Sequence, residues 1–226
     1  MNQVDRKFFE GAIARDLKSI NEALDAGADI DVTNADNRTA LTRVAKRGFD
    51  EVVELLIQRG AKTNLLDKNN KTALMGAAKN GHFKIVEDLV ERGAVINQAD
   101  YRGRTALMRA AFLGHTDIVE YLIENGGDVN VADNKGRTAL MDACIALKVD
   151  VINVLLSNGA LVDAQDFNGV TSLMRASYSG YVELVKLLLD AGADKSIKDN
   201  DDNYAIHYVR GHSFEELKPY LKVEED

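Results

Sequence analysis

Residues 105–137 read TALMRAAFLGHTDIVEYLIENGGDVNVADNKGR, and most of the chain repeats this pattern every 33 residues. The opening TALM tetrapeptide recurs, with a change at its second or last residue in two copies, at 39–42, 72–75, 138–141 and 171–174. A glycine followed by Ala or Gly keeps the same period at Gly27, Gly60, Gly93, Gly126, Gly159 and Gly192. Because two independent marks agree without an insertion, we interpret the chain as one array of repeats.

Each repeat is predicted to contain two short helices. Ala106, Leu107 and Ala110 lie on one helical face, and the apolar residues of 118–123 repeat that spacing in a second helix. Gly114 lies between the two helices, where a tight turn is needed. The polar stretch 131–137 is rich in turn-forming residues and is typical of a hairpin-like finger that joins one helix pair to the next.

This repeat resembles the ankyrin repeat, whose Thr-Pro-Leu-His signature opens the first helix. The resemblance implies an all-α repeat fold, a solenoid of stacked helix-turn-helix repeats joined by β-hairpin-like fingers. Ala or Ser replaces the signature Pro throughout, and Met75, Met108, Met141 and Met174 replace the signature His. In the family that His ties neighbouring turns by hydrogen bonds, so we expect thioether packing here. The Thr hydroxyls are expected to cap the helices.

The repeat register predicts a single domain over residues 1–226. It consists of an N-terminal capping helix pair at 1–33, five complete repeats at 34–198 and a C-terminal capping repeat at 199–226. Capping repeats are expected at both ends because an end repeat has one neighbour against which to bury its apolar face.

One repeat departs from its own pattern at the turn between its helices. Leu147 stands where the other complete repeats have Gly48, Gly81, Gly114 and Gly180. If the turn keeps a left-handed residue, Leu147 costs about 1 kcal/mol or more. We therefore predict either a shifted turn or a locally weaker fourth repeat.

Composition restricts the compartment and the partners. The net charge of −8 and pI near 5.1 argue against general nucleic-acid affinity. The lone Cys144 forms no intramolecular disulfide, and the charged N-terminal decapeptide carries no readable export signal. No apolar run is long enough to span a membrane. We expect a cytoplasmic monomer. The uniform repeats are also similar to stand-alone bacterial ankyrin-repeat proteins, including some delivered into host cells.

We find no catalytic, cofactor or metal site in the sequence, and we predict that the protein is not an enzyme. His82 and His115 both follow the inter-helix glycine, so a structural role is expected for them. Cys144 replaces a small alanine and is expected to be a buried, inert thiol. Gly103 and Gly136 are isolated turn glycines without the Gly-Lys-Ser/Thr of a phosphate loop.

The resemblance implies that a partner lies on the concave face made by the fingers and the first helices. Five non-signature positions per repeat belong to this face, such as Phe167, Asn168, Val170, Tyr178 and Ser179 in the fifth. The whole set holds ten basic residues and one acidic residue, a net charge of +9 that leaves −17 on the rest of the chain. The predicted partner-binding residues are Arg38, Lys46, Lys68, Lys71, Tyr101, Arg102, Arg104, Arg109, Phe112, Leu113, Lys135, Arg137, Ile145, Phe167, Arg175 and Tyr178.

We expect the partner to be a protein with an acidic segment and apolar anchors. The third to fifth repeats would hold the anchors, and Arg38, Lys46, Lys68 and Lys71 would attract the acidic side. One alternative is that the same basic trough binds nucleic acid or another polyanion. Another is that these charges are ordinary solvated surface and that the apolar side chains pad contacts between helices.

Overall fold

A computed structural model describes residues 1–211 and 213–223; His212 and residues 224–226, which belong to the predicted C-terminal capping repeat, lie outside it. The regular structure of the described residues is fourteen α-helices and one isolated antiparallel β-bridge between Thr33 and Thr39. The helices are α1 (Gln3–Ala14), α2 (Leu17–Asp25), α3 (Ala40–Arg47), α4 (Asp50–Gln58), α5 (Ala73–Lys79), α6 (Phe83–Glu91), α7 (Ala106–Leu113), α8 (Thr116–Glu124), α9 (Ala139–Ile145), α10 (Val149–Ser157), α11 (Ser172–Ser179), α12 (Val182–Asp190), α13 (Ala205–Tyr208) and α14 (Ser213–Leu221). The predicted all-helical repeat fold is confirmed.

The chain forms two compact units. Unit 1 comprises Met1–Ala110 and Glu124–Gly127, and unit 2 comprises Ala111–Ile123 and Asp128–Asp226. In unit 1, α1 packs against α2 and α3, α3 packs against α4 and α5, and α6 packs against α4 and α5. In unit 2, α9 packs against α10 and α11, α11 packs against α12 and α13, and α14 packs against α12 and α13. Within each unit, these helix pairs thus pack against the next pair along the chain.

The signature threonines start the first helix of each repeat. In unit 1 the hydroxyl of Thr72 accepts a hydrogen bond from the Met75 N–H at 3.2 Å, and in unit 2 that of Thr138 accepts from the Met141 N–H at 3.4 Å. Such a side-chain cap satisfies a backbone donor that the helix leaves without a partner, and it is worth about 1 kcal/mol. The capping role predicted for the Thr hydroxyls is confirmed.

The methionines that stand in place of the signature histidine pack in the core, and one of them also accepts a hydrogen bond. Met75, Met108, Met141 and Met174 are all buried, as thioether packing requires. The Met174 sulfur also accepts a hydrogen bond from the Thr171 N–H at 3.4 Å. His207 keeps the original arrangement in the last repeat, where its Nδ1 accepts from the Tyr204 N–H at 3.0 Å. The expected thioether packing is present, and in the fifth repeat the sulfur additionally takes over the hydrogen bond.

The fingers are held to one another by main-chain hydrogen bonds. In unit 1 the Lys68 N–H donates to the carbonyl of Asp36 at 3.0 Å. In unit 2 the Phe167 N–H donates to the carbonyl of Lys135 at 2.9 Å. Each finger is therefore fixed relative to its neighbour within the unit, and its tip residues occupy defined positions on the surface.

Leu147 keeps the turn and takes the left-handed conformation. Its φ is 55°, against 74° for Gly48 and 72° for Gly180 at the same place in their repeats. The shifted turn that we considered is therefore wrong. The residue is 44% exposed, so burial of its side chain offsets the unfavourable backbone only in part. A locally weaker fourth repeat stays a prediction.

Candidate protein-binding surfaces

The fingers of the second to fifth repeats and of the predicted C-terminal capping repeat each contain one buried aspartate at the same place. These finger aspartates are Asp67, Asp100, Asp133, Asp166 and Asp199, and they are between 4% and 8% exposed. In every one, Oδ1 accepts hydrogen bonds from the backbone N–H groups two and four residues downstream, at 2.8 to 3.0 Å. The carboxylate thereby replaces the water that these backbone groups would otherwise need.

The second carboxylate oxygen of the finger aspartates binds arginines that we had assigned to the partner. In unit 1, Asp67 Oδ2 accepts from Arg38 Nε at 3.2 Å, and Asp100 accepts from Arg109. In unit 2, Asp133 Oδ2 accepts from Arg137 Nη2 at 2.8 Å, and Asp166 Oδ2 accepts from Arg175 Nη2 at 2.6 Å. Four predicted partner-binding arginines therefore also have a structural task, and much of their charge is neutralised within the protein.

In unit 1 the finger of the second repeat shows the electrostatic balance at these carboxylates. Burial alone would raise the pKa of Asp67. The backbone N–H groups of Lys71 and Asn69, together with the Arg38 guanidinium, outweigh burial and hold the pKa below its usual value. The ionised form is thus the one that the folded finger stabilises.

The fingers of unit 2 follow the same balance. At Asp133, burial would raise the pKa, but Arg137 and the finger N–H groups lower it. At Asp199 the Tyr208 hydroxyl takes the place of an arginine, and the pKa of this carboxyl is again lowered against burial. Burial together with the Asp199 carboxylate raises the pKa of Tyr208 to about 12. Tyr208 therefore stays a neutral hydrogen-bond donor.

Unit 1 presents a basic surface on its fingers and first helices. Lys46 and Lys68 are exposed and Lys71 is half-buried, and within 1–211 and 213–223 no carboxylate lies within ion-pair distance of the three. A cavity of about 280 Å³ opens on this surface. Its lining residues are Arg38, Thr42, Arg43, Lys46, Arg47, Asp67, Lys71, Thr72, Met75, Gly76, Lys79, Asn80 and Arg109.

The third finger adds an aromatic side chain to unit 1. Tyr101 is exposed, and the guanidinium of Arg102 lies 5.2 Å from its ring centroid while Arg102 Nε donates to its hydroxyl at 2.6 Å. Arg104 is half-buried behind them, and its N–H donates to Asp100. An aromatic ring with a stacked guanidinium is a common element of protein interfaces.

Unit 2 exposes large apolar side chains at the predicted anchor positions. Phe167 is 71% exposed, Tyr178 is 55% exposed and Phe112 is 41% exposed, and Leu113 and Ile145 are exposed to a similar degree. All five residues therefore present apolar surface to solvent, Phe167 and Tyr178 the most. Lys135 is exposed beside them on its finger. The prediction that Val170 lies on the same exposed face is wrong, because this residue is buried.

Two of these anchors are held in place. The Phe167 carbonyl accepts a hydrogen bond from Asn200 Nδ2 at 2.9 Å, in addition to the main-chain bond that its N–H makes to Lys135. The guanidinium of Arg210 lies 4.8 Å from the Tyr178 ring centroid. A backbone or a ring that is ordered before binding loses less conformational entropy when a partner arrives.

The predicted structural roles of His82 and Cys144 fit their surroundings. His82 Nε2 lies 3.2 Å from the Lys46 carbonyl oxygen, and a Cβ on Gly48 would lie within 2.5 Å of the His82 ring. Cys144 is fully buried, and burial raises the pKa of its thiol to about 12. Among the described residues, no three His, Cys, Asp or Glu side chains come together as a metal site requires.

The sequence pattern did not predict the part that the finger aspartates play in these surfaces. They recur at the same 33-residue period as the signature threonines, so their position in the sequence was visible. Their hydrogen bonds follow from the finger conformation, which the sequence pattern alone does not give.

Comparison with known proteins agrees with this architecture. A family model described as ankyrin repeats (3 copies) matches residues 9–100, 95–166 and 133–199, and the chain therefore belongs to the ankyrin-repeat family. The chain is similar to the solved ankyrin repeat domain of Bcl-3, described as a unique member of the IkappaB protein family. The identity is 26%, the match covers 94% of this chain and 97% of that chain, and the TM-score is 0.82. No curated protein sequence gives a match.

The family and the fold define a class of protein. Ankyrin-repeat solenoids are scaffolds for protein-protein interaction and are typically non-catalytic, and this chain is an interaction module of that class. In the part of the chain that the structure describes, no helix combines the length and the apolar character needed to cross a lipid bilayer.

Proposed function

We propose that the protein binds a partner protein through the finger and first-helix surfaces of its two units. The partner carries acidic side chains for unit 1 and apolar side chains for unit 2. The proposal is supported above all by one observation: five large apolar side chains of unit 2 stay exposed at positions that neither the repeat signature nor the core requires.

Exposed aromatic and aliphatic groups of this kind supply most of the energy in protein interfaces. A soluble monomer seldom exposes several such side chains together unless they bind something. Phe167 and Tyr178 fit the role best, since both are more than half exposed, the Phe167 carbonyl is bound by Asn200 and the Tyr178 ring lies under the Arg210 guanidinium. They would fill apolar contacts with the partner.

The cations of unit 1 would attract the acidic part of the partner. Lys46, Lys68 and Lys71 keep their charge available, whereas Arg38 and Arg109 share theirs with finger aspartates. Charges of this kind act mainly on the association rate and on partner choice. We therefore expect Lys46 and Lys68 to contribute more to recognition than the paired arginines.

Selection from a random peptide library displayed on phage, with the full chain immobilised, tests the proposal without a known partner. We expect the recovered peptides to combine Asp or Glu with aromatic or aliphatic residues. Phe167→Ala and Tyr178→Ala should each weaken the best peptide about 10-fold or more, as truncation of an interface anchor does. Leu161→Ala is the matched control, because Leu161 is equally apolar and 62% exposed but lies outside the proposed surface.

Charge is tested with the same peptide. Lys46→Glu and Lys68→Glu should slow its association, while Lys18→Glu, at a side chain that is 86% exposed on α2, should change it little. Recovery of peptides without acidic or apolar preference would contradict the proposal. Tight binding of single-stranded DNA that falls steeply with salt would favour the polyanion alternative instead.

A further inference from the structure

One residue that lines the cavity of unit 1 departs from the repeat pattern. One position after the signature His/Met site, the first and third repeats carry Arg43 and Arg109, but the second carries Gly76. All three residues line the cavity of about 280 Å³. The missing side chain is therefore part of what makes the cavity.

The glycine is costly for the helix that contains it. Gly76 lies inside α5, where a residue without a side chain weakens helix formation. A Cβ at this position would lie 3.2 Å from the Lys46 Cβ, so α3 and α5 approach closely at this point. A larger residue would both press on α3 and enter the cavity.

The cavity wall has more positive charge than its own carboxylates neutralise. Asp67 is the one acidic residue among the described residues that line the cavity, and its carboxylate is already paired with Arg38. Among the residues that the structure describes, Arg43 and Arg47 contact the aromatic rings of Phe9 and Phe49, at 5.9 Å each, and no carboxylate. Lys46 and Lys71 add two further charges to the wall.

Arg109 also lines the cavity, but its charge is shared with a finger aspartate. Its guanidinium donates to Asp100, but its Nε is buried and has no acceptor among the described residues. Burial is the main cause that lowers the pKa of Arg109, and the neighbouring Arg104 and Arg102 lower it further. Arg175 Nε, which does not line the cavity, is buried in the same way without an acceptor in the described part of the chain, so this feature belongs to the repeat position, and it is the cations of the wall that favour an anion.

The size and charge of the cavity select a small, multiply charged anion. A volume of about 280 Å³ lies at the lower end of ligand cavities and suits one head group better than a whole cofactor. A phosphate monoester carries about two negative charges and three acceptor oxygens, which guanidinium groups bind in pairs of hydrogen bonds. A carboxylate offers one charge and two oxygens, and it would leave more of the wall unmatched.

We propose that this cavity binds a phosphorylated Ser or Thr side chain of the partner protein. The proposal rests on the function proposed above and assigns one feature of the partner. Lys46, Arg47 and Lys79 line the cavity and are exposed, so a phosphate carried on a polypeptide can reach it from solvent. Arg43 and Lys46 bind the phosphate oxygens, and Gly76 leaves the space that the phosphate occupies.

Titration of the full-length, 15N-labelled chain with N-acetyl-O-phosphoserine N-methylamide tests the proposal. We expect the backbone amides of Lys46, Gly76 and Lys79 to shift. Arg43→Gln and Lys46→Gln should each weaken binding about 10-fold, as expected for loss of a charge-assisted hydrogen bond. Lys18→Gln removes the same charge from an exposed site on α2 and should leave the affinity unchanged.

Gly76→Arg separates shape from charge. This variant restores the arginine of the repeat register and raises the positive charge, yet it fills the cavity. We expect it to lose binding, whereas attraction by net charge alone would make it bind more tightly. The same NMR spectrum shows whether this variant folds. If it does not fold, the affinities of Arg43→Gln and Lys46→Gln, compared with that of Lys18→Gln, test the proposal.

Three results would overturn the proposal. In the first, N-acetylaspartate N-methylamide binds as tightly as the phosphoserine compound, so that the cavity takes ordinary carboxylates. In the second, inositol hexakisphosphate shifts the same amides and phosphoserine does not, so that the ligand is a free metabolite. In the third, no amide around Gly76 shifts with any anion. Each of these leaves peptide binding to Phe167 and Tyr178 intact, so failure of the phosphate site is distinguishable from failure of the proposed function.

Discussion

Leu147 gives a direct test of backbone energetics in the fourth repeat. Its φ of 55° places an L-residue in the left-handed region, which costs about 1–2 kcal/mol. Replacing Leu147 by Ala or by Gly removes the same side-chain contacts, so the difference between these two variants isolates the backbone. Glycine relieves the left-handed cost but loses about 0.5–1 kcal/mol through the greater freedom of the unfolded chain. We therefore expect Leu147→Gly to be more stable than Leu147→Ala by about 0.5–1 kcal/mol.

Glu54 supplies the matched control. It is exposed in the middle of α4, where the backbone is right-handed, so Glu54→Gly should be less stable than Glu54→Ala by about 1 kcal/mol. The four variants are compared by urea unfolding followed by circular dichroism, with amide hydrogen exchange of α9 and α10 to locate the effect. If the Gly variant is the weaker one at Leu147 as well, the left-handed cost is absent and the fourth repeat is not locally weakened.

Three further predictions concern the finger aspartates and the buried thiol. Asp133→Ala should lower the free energy of unfolding by about 2–4 kcal/mol, because it leaves two finger N–H groups and Arg137 without their acceptor. Asp36→Ala, at an exposed fingertip, is the control and should change it by less than about 0.5 kcal/mol. Equal effects of the two variants in urea unfolding would refute the structural role of the Asp133 carboxylate. The pKa values of Asp67, Asp133 and Asp199 are lowered in the folded chain. The stability that they contribute is therefore complete above the unfolded pKa of about 3.9 and is lost as the pH falls through the folded pKa values. Urea midpoints measured from about pH 7 down to about pH 2.5 should decrease below about pH 3.9, and midpoints that do not change would contradict this. Cys144, buried and with a thiol pKa raised to about 12, should react with a disulfide reagent at about pH 8 only after denaturant is added, and rapid reaction of the native chain would show that the site opens.

The repeat period, the helix pairs, the threonine caps and the burial of Met75, Met108, Met141 and Met174 could all be predicted from the sequence. These features depend on residues close to one another in the chain or on identical neighbours at fixed spacing, and a single sequence records both. The left-handed turn at Leu147 was predicted as one of two outcomes, because the sequence shows an unusual residue but not how the backbone accommodates it.

The repeat architecture therefore follows from the sequence alone, and the side chains assigned to a partner stay predictions. Which of those side chains keep their charge depends on how the chain folds. Arg38 binds Asp67, which lies 29 residues away on the next finger, and Arg109 binds Asp100 across the finger-to-helix junction. Such pairs form only when the repeats have stacked and the fingers have folded, since distance and burial set the strength of an ion pair and the number of charges in the sequence does not.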